Sequence, residues 1–138
     1  LKERQGLSLI VVDYLGLLTD RYGNNNNDRI GYITRTLKEM AMTLDVPLVA
    51  AHQLNRGLES REEKRPQMQD LRDSGNVEQD ADVILFLYRE NYYKMNINDN
   101  IAEVLIAKNR QGTSGRRVKV LWDEKKHTYL NLALEEVL

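Results

Sequence analysis

Two short apolar runs with one amphipathic helix between them constrain this chain more than any other feature. Leu7 to Val12 is a largely apolar, β-branched run that ends at Asp13, and it reads as a strand buried on both faces. Tyr14 to Asn27 is polar, with Gly16, Gly23 and the tract Asn24 to Asn27, and reads as a loop. With Asp28 as N-cap, Ile30, Ile33, Leu37, Met40, Ala41 and Leu44 recur at three- and four-residue spacing. That period predicts an amphipathic helix of about four to five turns. Pro47 closes the connection, and Pro47 to Ala51 forms a second buried strand that ends at His52 and Gln53. Strand, crossover helix and strand in this order make a βαβ unit with parallel strands.

Residues 55–80 are charge-dense and contain Gly57, Pro66 and Gly75. They are expected to form a long surface segment with at most short helical turns, and ordered loops of such length tend to be functional. Val83 to Tyr88 reads as a third buried strand and 89–100 as another polar loop. After Ile101 three short strands follow, Ala102 to Lys108, Arg116 to Trp122 and Thr128 to Leu132. Their short joins suit antiparallel hairpins. The expected architecture is therefore α/β, with a parallel βαβ part over 7–88 and antiparallel edge strands over 101–132, in one portion spanning 1–138. No internal repeat is visible.

Composition bounds the function. Of 138 residues, 41% are hydrophobic and 30% charged, with a net charge of -1, which is a folded, soluble chain and excludes intrinsic disorder. Apolar runs reach about six residues, far below the roughly 20 needed to span a bilayer, so no membrane role is expected. Cysteine is absent, which removes disulfides, thiolate metal sites and a cysteine nucleophile and fits a reducing, cytoplasmic setting. The chain opens on Leu1 without a secretory pattern and is expected to start inside something longer. The near-zero charge hides an imbalance. Residues 56–82 carry five basic and eight acidic groups, whereas 108–126 carry seven basic and two acidic ones. The second segment offers a cationic patch for phosphate, and equally suits an edge strand guarded by lysines.

In open parallel sheets chemistry collects beyond the carboxyl ends of the strands, which selects Asp13, Gln53, Lys108 and Arg110. A carboxylate at the end of an apolar strand is the Walker B arrangement, one anion fixed beside a nucleotide to hold Mg²⁺, although strands also end in Asp for turn reasons. Gln53 can donate and accept, as a γ-phosphate sensor must, or can make a simple loop hydrogen bond. Lys108 and Arg110 project from one face if the strand continues that far, which suits phosphate. A triphosphate site also needs a loop of the form G-x-x-x-x-G-K-[ST], and no glycine here is followed by lysine.

Several motifs fall in register: Leu9-Ile10-Val11-Val12-Asp13-Tyr14-Leu15; His52-Gln53-Leu54-Asn55-Arg56; Lys64-Arg65-Pro66; Asp70-Leu71-Arg72-Asp73-Ser74-Gly75; Glu78-Gln79-Asp80-Ala81-Asp82-Val83-Ile84; and Ile106-Ala107-Lys108-Asn109-Arg110-Gln111-Gly112. In order and spacing they resemble the DnaB-type replicative DNA helicases over nearly the whole chain. The resemblance implies a RecA-like, P-loop NTPase-type three-layer sheet, here without its P-loop half. It further implies a homo-hexameric ring that couples hydrolysis of ATP with Mg²⁺ to translocation on single-stranded DNA and duplex unwinding. Primase and a helicase loader are the other implied partners. Residue by residue, it makes Asp13 the Walker B carboxylate on Mg²⁺, held through water, and Gln53 the sensor. Arg110 becomes an arginine finger on the ATP of the adjacent subunit, assisted by Lys108. Arg72, Asp73 and Gly75 become the DNA-binding loop of the central channel.

The pattern departs from the family at Gly16, where glutamine is usual, at Asp73 for glutamate and at His52 for serine. Asn109 and Gln111 exchange the usual order around Arg110. Two alternatives share these residues: a recombinase-type RecA-fold ATPase, and a non-catalytic module that binds a loader or primase.

Overall fold

A computed structural model of the chain describes residues 6–19, 25–71, 76–94 and 99–132. The chain divides into two units, Leu1–Gly57 with Met68–Ala81, and Leu58–Gln67 with Asp82–Leu138.

In the first unit, β1 (Ile10–Val12) and β2 (Leu48–Ala50) pair in parallel, Ile10 opposite Leu48 and Val12 opposite Ala50. Helix α1 (Asn26–Leu44) makes the crossover. It starts earlier than the sequence period predicts: the N-cap is Asn25, whose Oδ1 accepts from the Asp28 backbone N–H at 2.9 Å. Asp28, expected as the cap itself, instead accepts from Asn25 Nδ2 at 2.9 Å, the reciprocal pairing of a capping box, and places its charge at the positive end of the helix dipole. The helix ends on Asp45 at φ 48°, a left-handed residue, and Val46 N–H returns to the Ala41 carbonyl, as helix C-termini commonly do. Ile30, Ile33 and Thr34 are buried, while Leu37, Met40, Ala41 and Leu44 are half-buried.

The expectation that both strands are buried on two faces is corrected here. Val11 is 63% exposed and Val49 57%. One face of this pair has no cover among the described residues, although parallel strands with continuous apolar runs are built to be covered twice.

The second unit is an antiparallel sheet in the order β3 (Val83–Arg89), β4 (Ile101–Asn109), β5 (Arg116–Asp123), β6 (Thr128–Asn131). The hairpins expected after Ile101 are present. Strand β3, read with the parallel part, forms its ladder with β4 in antiparallel register, Val83 opposite Asn109 and Arg89 opposite Ala102. It is also buried on one face only: Ile84, Phe86 and Tyr88 point inward and Val83, Leu85 and Leu87 outward. The connection 90–100, expected as loop, opens with the single helical turn α2 (Glu90–Tyr93) and is too short for a parallel crossover with its own full helix. Ladder register shifts between Ile84 and Leu85, so that Ala107 is an extra residue in β4, a β-bulge.

Arg65 ties the 58–67 segment to this sheet. Its guanidinium meets Glu103 through Nε at 3.0 Å and Nη2 at 3.1 Å and lies 4.8 Å from the Tyr88 ring centroid. The bidentate guanidinium holds the Glu103 carboxyl below its ordinary range. Residues 55–80 otherwise contain only short turns, as expected: 3₁₀ turns at Arg56–Ser60 and Met68–Leu71, and one helical turn at Val77–Asp80.

Candidate functional site

The parallel pair brings two of the sequence-selected residues to neighbouring strand ends. Ala51 N–H donates to the Val12 carbonyl and the Ala51 carbonyl accepts from Leu15 N–H, each at 2.9 Å. Asp13 and Tyr14 are thus the segment bracketed by Ala51, and Gln53 lies two residues beyond it. The Asp13–Tyr14 peptide is cis. Both Asp13 and Gln53 are exposed, so an anion and an amide are presented side by side on a backbone fixed by the ladder. Between them His52 is half-buried, and burial pushes its pKa below the ordinary value, which keeps the ring neutral at physiological pH.

Asp13 fits one part of a magnesium site. Among the described residues no group of three or more His, Asp or Glu side chains gathers into an all-protein cage. A single exposed carboxylate is the donor set with which Mg²⁺ binds when substrate phosphates and water complete its shell.

Lys108 and Arg110 sit in the second unit. The strand-end rule that selected them holds for parallel strands, whereas β4 runs antiparallel to β3. They therefore lie where β3 begins, at the edge opposite its carboxyl end. The condition for a shared face is not met, because β4 ends at Asn109 and Arg110 opens the following turn. Lys108 is half-buried opposite Ile84, and Arg110 is exposed. Asn109 Oδ1 accepts from Gln111 N–H at 3.3 Å, so the amide at 109 braces the turn that carries Arg110. That gives a structural reason for the Asn109 and Gln111 order. At Gly16, a Cβ would come within 2.6 Å of the Tyr14 ring, so a larger residue there requires Tyr14 to move.

Arg72, Asp73 and Gly75 lie outside the described residues. Their flanks are described and well held. Asp70 and Leu71 are buried, the Asp70 carbonyl accepts from Asn55 N–H at 3.1 Å, and Thr34 Oγ1 donates to Asp80 Oδ2 at 2.6 Å. Asn55 is two residues beyond Gln53, so one hydrogen bond joins the segment after β2 to the segment before 72–75.

The cationic patch splits in two. Arg116, Arg117 and Lys119 are exposed on the half of β5 that has no β6 partner, where charge guards an edge. Lys125 and Lys126 lie in the β5–β6 turn, their backbone N–H groups bonded to Asp123 Oδ1 at 3.1 Å.

One feature escaped the sequence reading. Arg89 lies 4.9 Å from the Trp122 ring centroid, Trp122 packs 4.8 Å from Tyr129, and an open pocket here is also lined by Leu87, Tyr92 and Tyr93. The buried Trp122 indole N–H has no partner among the described residues. Chemically this is a surface on which a planar ring can stack. Its members lie on separate elements and share no spacing, so nothing in the sequence groups them.

An acid and an amide ending adjacent parallel strands, with a separate cation-bearing antiparallel sheet, place the chain in the class of RecA-like α/β folds. The family model of the DnaB-like helicase C terminal domain matches residues 1–131, and the chain belongs to that family. It is 44% identical over 135 residues to the replicative DNA helicase DnaB of Geobacillus stearothermophilus and to the replicative DNA helicase DnaC of Bacillus subtilis, covering 96% of this chain. The chain spans about 30% of the length of these curated relatives. Among solved structures it is similar to an isolated ATPase domain, with a TM-score of 0.87 and 42% identity over 95% of this chain and 47% of that one. A DnaB-like replicative helicase studied with primase matches at the same TM-score and identity, over 32% of its length. Among the described residues no helix is long and apolar enough to cross a membrane.

Proposed function

We propose that this chain is the Walker B, DNA-loop and arginine-finger portion of an ATP-driven replicative DNA helicase. The carrying observation is the pair of adjacent parallel strand ends that present Asp13 and Gln53 together, within a chain of the DnaB-like family. Bound Mg²⁺ and ATP supply the electrophilic phosphorus and the charge that binds it. Asp13 holds the metal through its water shell, and Gln53 senses the γ-phosphate by donating from its amide. Arg110, in a turn at the opposite edge of an antiparallel sheet, acts on the nucleotide of a neighbouring copy in a homo-hexamer, and Lys108 assists. An arginine supplied in trans makes hydrolysis depend on assembly. The 72–75 segment grips single-stranded DNA by backbone phosphates and backbone N–H groups, without reading sequence, as a translocating motor requires. The Asn55 to Asp70 hydrogen bond supports a link between the Gln53 strand end and that grip. Primase contact, suggested by the second structural neighbour, loader contact and a cytoplasmic location belong to the same reading.

The chain contains no G-K pair, so the test needs a protein that carries it together with a phosphate-binding loop. In that protein Arg110→Ala should lower the hydrolysis rate by about 10³ to 10⁵ while nucleotide binding, read by fluorescence titration, survives. Equal loss of binding and turnover would make Arg110 structural. Arg72→Ala should weaken single-stranded DNA binding at every sequence and flatten its salt dependence, and an unchanged slope would remove the DNA role of 72–75.

A further inference from the structure

Arg110 is not left to solvent. Its backbone N–H donates to the Asp82 carbonyl at 2.8 Å, and its Nη1 lies 2.8 Å from Asp82 Oδ1. Main chain and side chain of one residue thus grasp main chain and side chain of the other. The pair extends the β3–β4 ladder one step beyond Val83 opposite Asn109. The bulge at Ala107 lies just inside that end, and bulges twist a strand and re-aim the residues beyond them. Both side chains are half-exposed, Arg110 at 53% and Asp82 at 48%, so the contact is not there to fill a core.

An exposed arginine in a turn samples many rotamers, and each must be abandoned when it meets a phosphate. A carboxylate at one edge of the guanidinium removes that freedom beforehand. The group has five N–H donors in a planar fork, which lets an arginine hold a carboxylate and still donate to a second anion. We infer that Asp82 is a positioning residue for Arg110, fixing the guanidinium in the orientation in which it is offered to a neighbouring subunit's phosphate. The inference rests on the arginine-finger reading proposed above. Asp82 follows Ala81 directly, so the finger's anchor is continuous in sequence with the helical turn Val77–Asp80 that leaves the 72–75 segment. Movement of that segment would reach Arg110 through one residue.

The experiment uses the hexameric protein that carries this chain and a phosphate-binding loop. Asp82→Asn keeps size and removes charge. It should lower kcat for ATP about five-fold, the scale of an exposed, well-formed ion pair, with KM for ATP unchanged and the hexamer intact by light scattering. Asp82→Glu should restore most of the rate. Added salt should narrow the gap between wild type and Asp82→Asn, because an exposed pair is screened. In an Arg110→Ala background, single-turnover rates should show no further loss from Asp82→Asn. A wild-type kcat in Asp82→Asn, an equal loss in the Arg110→Ala background, or dissociation of the hexamer would each overturn the assignment. The two levels separate cleanly: if Arg110→Ala itself leaves hydrolysis intact, the finger reading fails, whereas loss in Arg110→Ala without loss in Asp82→Asn removes only the role of Asp82.

Discussion

The two sheets of this chain are held in opposite ways. The β1–β2 pair has three rungs, one crossover helix and apolar side chains such as Val11 and Val49 facing outward. The β3–β6 sheet buries Ile84, Phe86, Tyr88, Ala102 and Leu105 on one face, and Arg65 clamps a loop segment to it through Glu103. Parallel strands come with cover on both faces, while antiparallel strands tolerate one wet face. The antiparallel sheet therefore finds much of its stabilisation inside this chain, and the parallel pair finds only half. The chemistry divides along the same line: the metal-binding acid and the sensing amide sit on the thin pair, and the finger arginine on the clamped sheet.

The largest expected effect follows from that contrast. Phe86→Ala opens a cavity in the inward face of β3 and should cost about 3 to 5 kcal/mol, seen in urea denaturation of the chain and as lost amide-exchange protection across β3 to β6. A cost below about 1 kcal/mol would mean that the sheet's buried face is not its source of stability.

Next comes the clamp. Arg65→Ala removes both arms of a charge-assisted bidentate contact and leaves a largely shielded carboxylate, for an expected loss of about 2 to 3 kcal/mol. Acid probes the same contact. The Glu103 carboxyl titrates below its ordinary value of 4.5 because of Arg65. Its stabilisation is therefore complete above that value and is lost as pH falls through the lower, folded one. The acid limb of a stability-pH curve should be shallower in Arg65→Ala, and parallel curves would locate acid sensitivity elsewhere.

These contrasts also mark what the sequence could tell. The crossover, the strand ends at Asp13 and Gln53 and the three C-terminal strands were legible because period and turn chemistry are local. The helix start was misplaced within a tract of similar residues: Asn25 and Asp28 are both good caps, and only the reciprocal hydrogen bonds decide between them. Strand β3 misled for a different reason. Val83 to Tyr88 is apolar at every position, so its pattern reports two apolar faces and says nothing of its partner's direction. Lys108 and Arg110 were found by a rule for parallel strands that does not govern β4, and the resemblance to the helicase family gave them roles that this rule could not. The Asp82–Arg110 and Arg65–Glu103 pairs, 28 and 38 residues apart, and the Arg89–Trp122 pocket are products of register, which no local pattern encodes.

The smallest effect tests the thin side of the comparison. Val11 and Phe86 are both apolar strand residues, yet Val11 faces outward on β1. Val11→Thr keeps the β-branched shape and adds a hydroxyl, a change that is costly where the site is dry and nearly free where it is wet. In this chain the substitution should change stability by less than about 0.5 kcal/mol in the same urea measurement. In a protein that also carries the remaining part of a RecA-like domain, the same substitution should cost about 1 to 3 kcal/mol, because cover on the second face would leave the hydroxyl buried. Equal effects in the two proteins would show that β1 has one wet face by design, and that the contrast between the sheets is a property of the fold and not of the portion present.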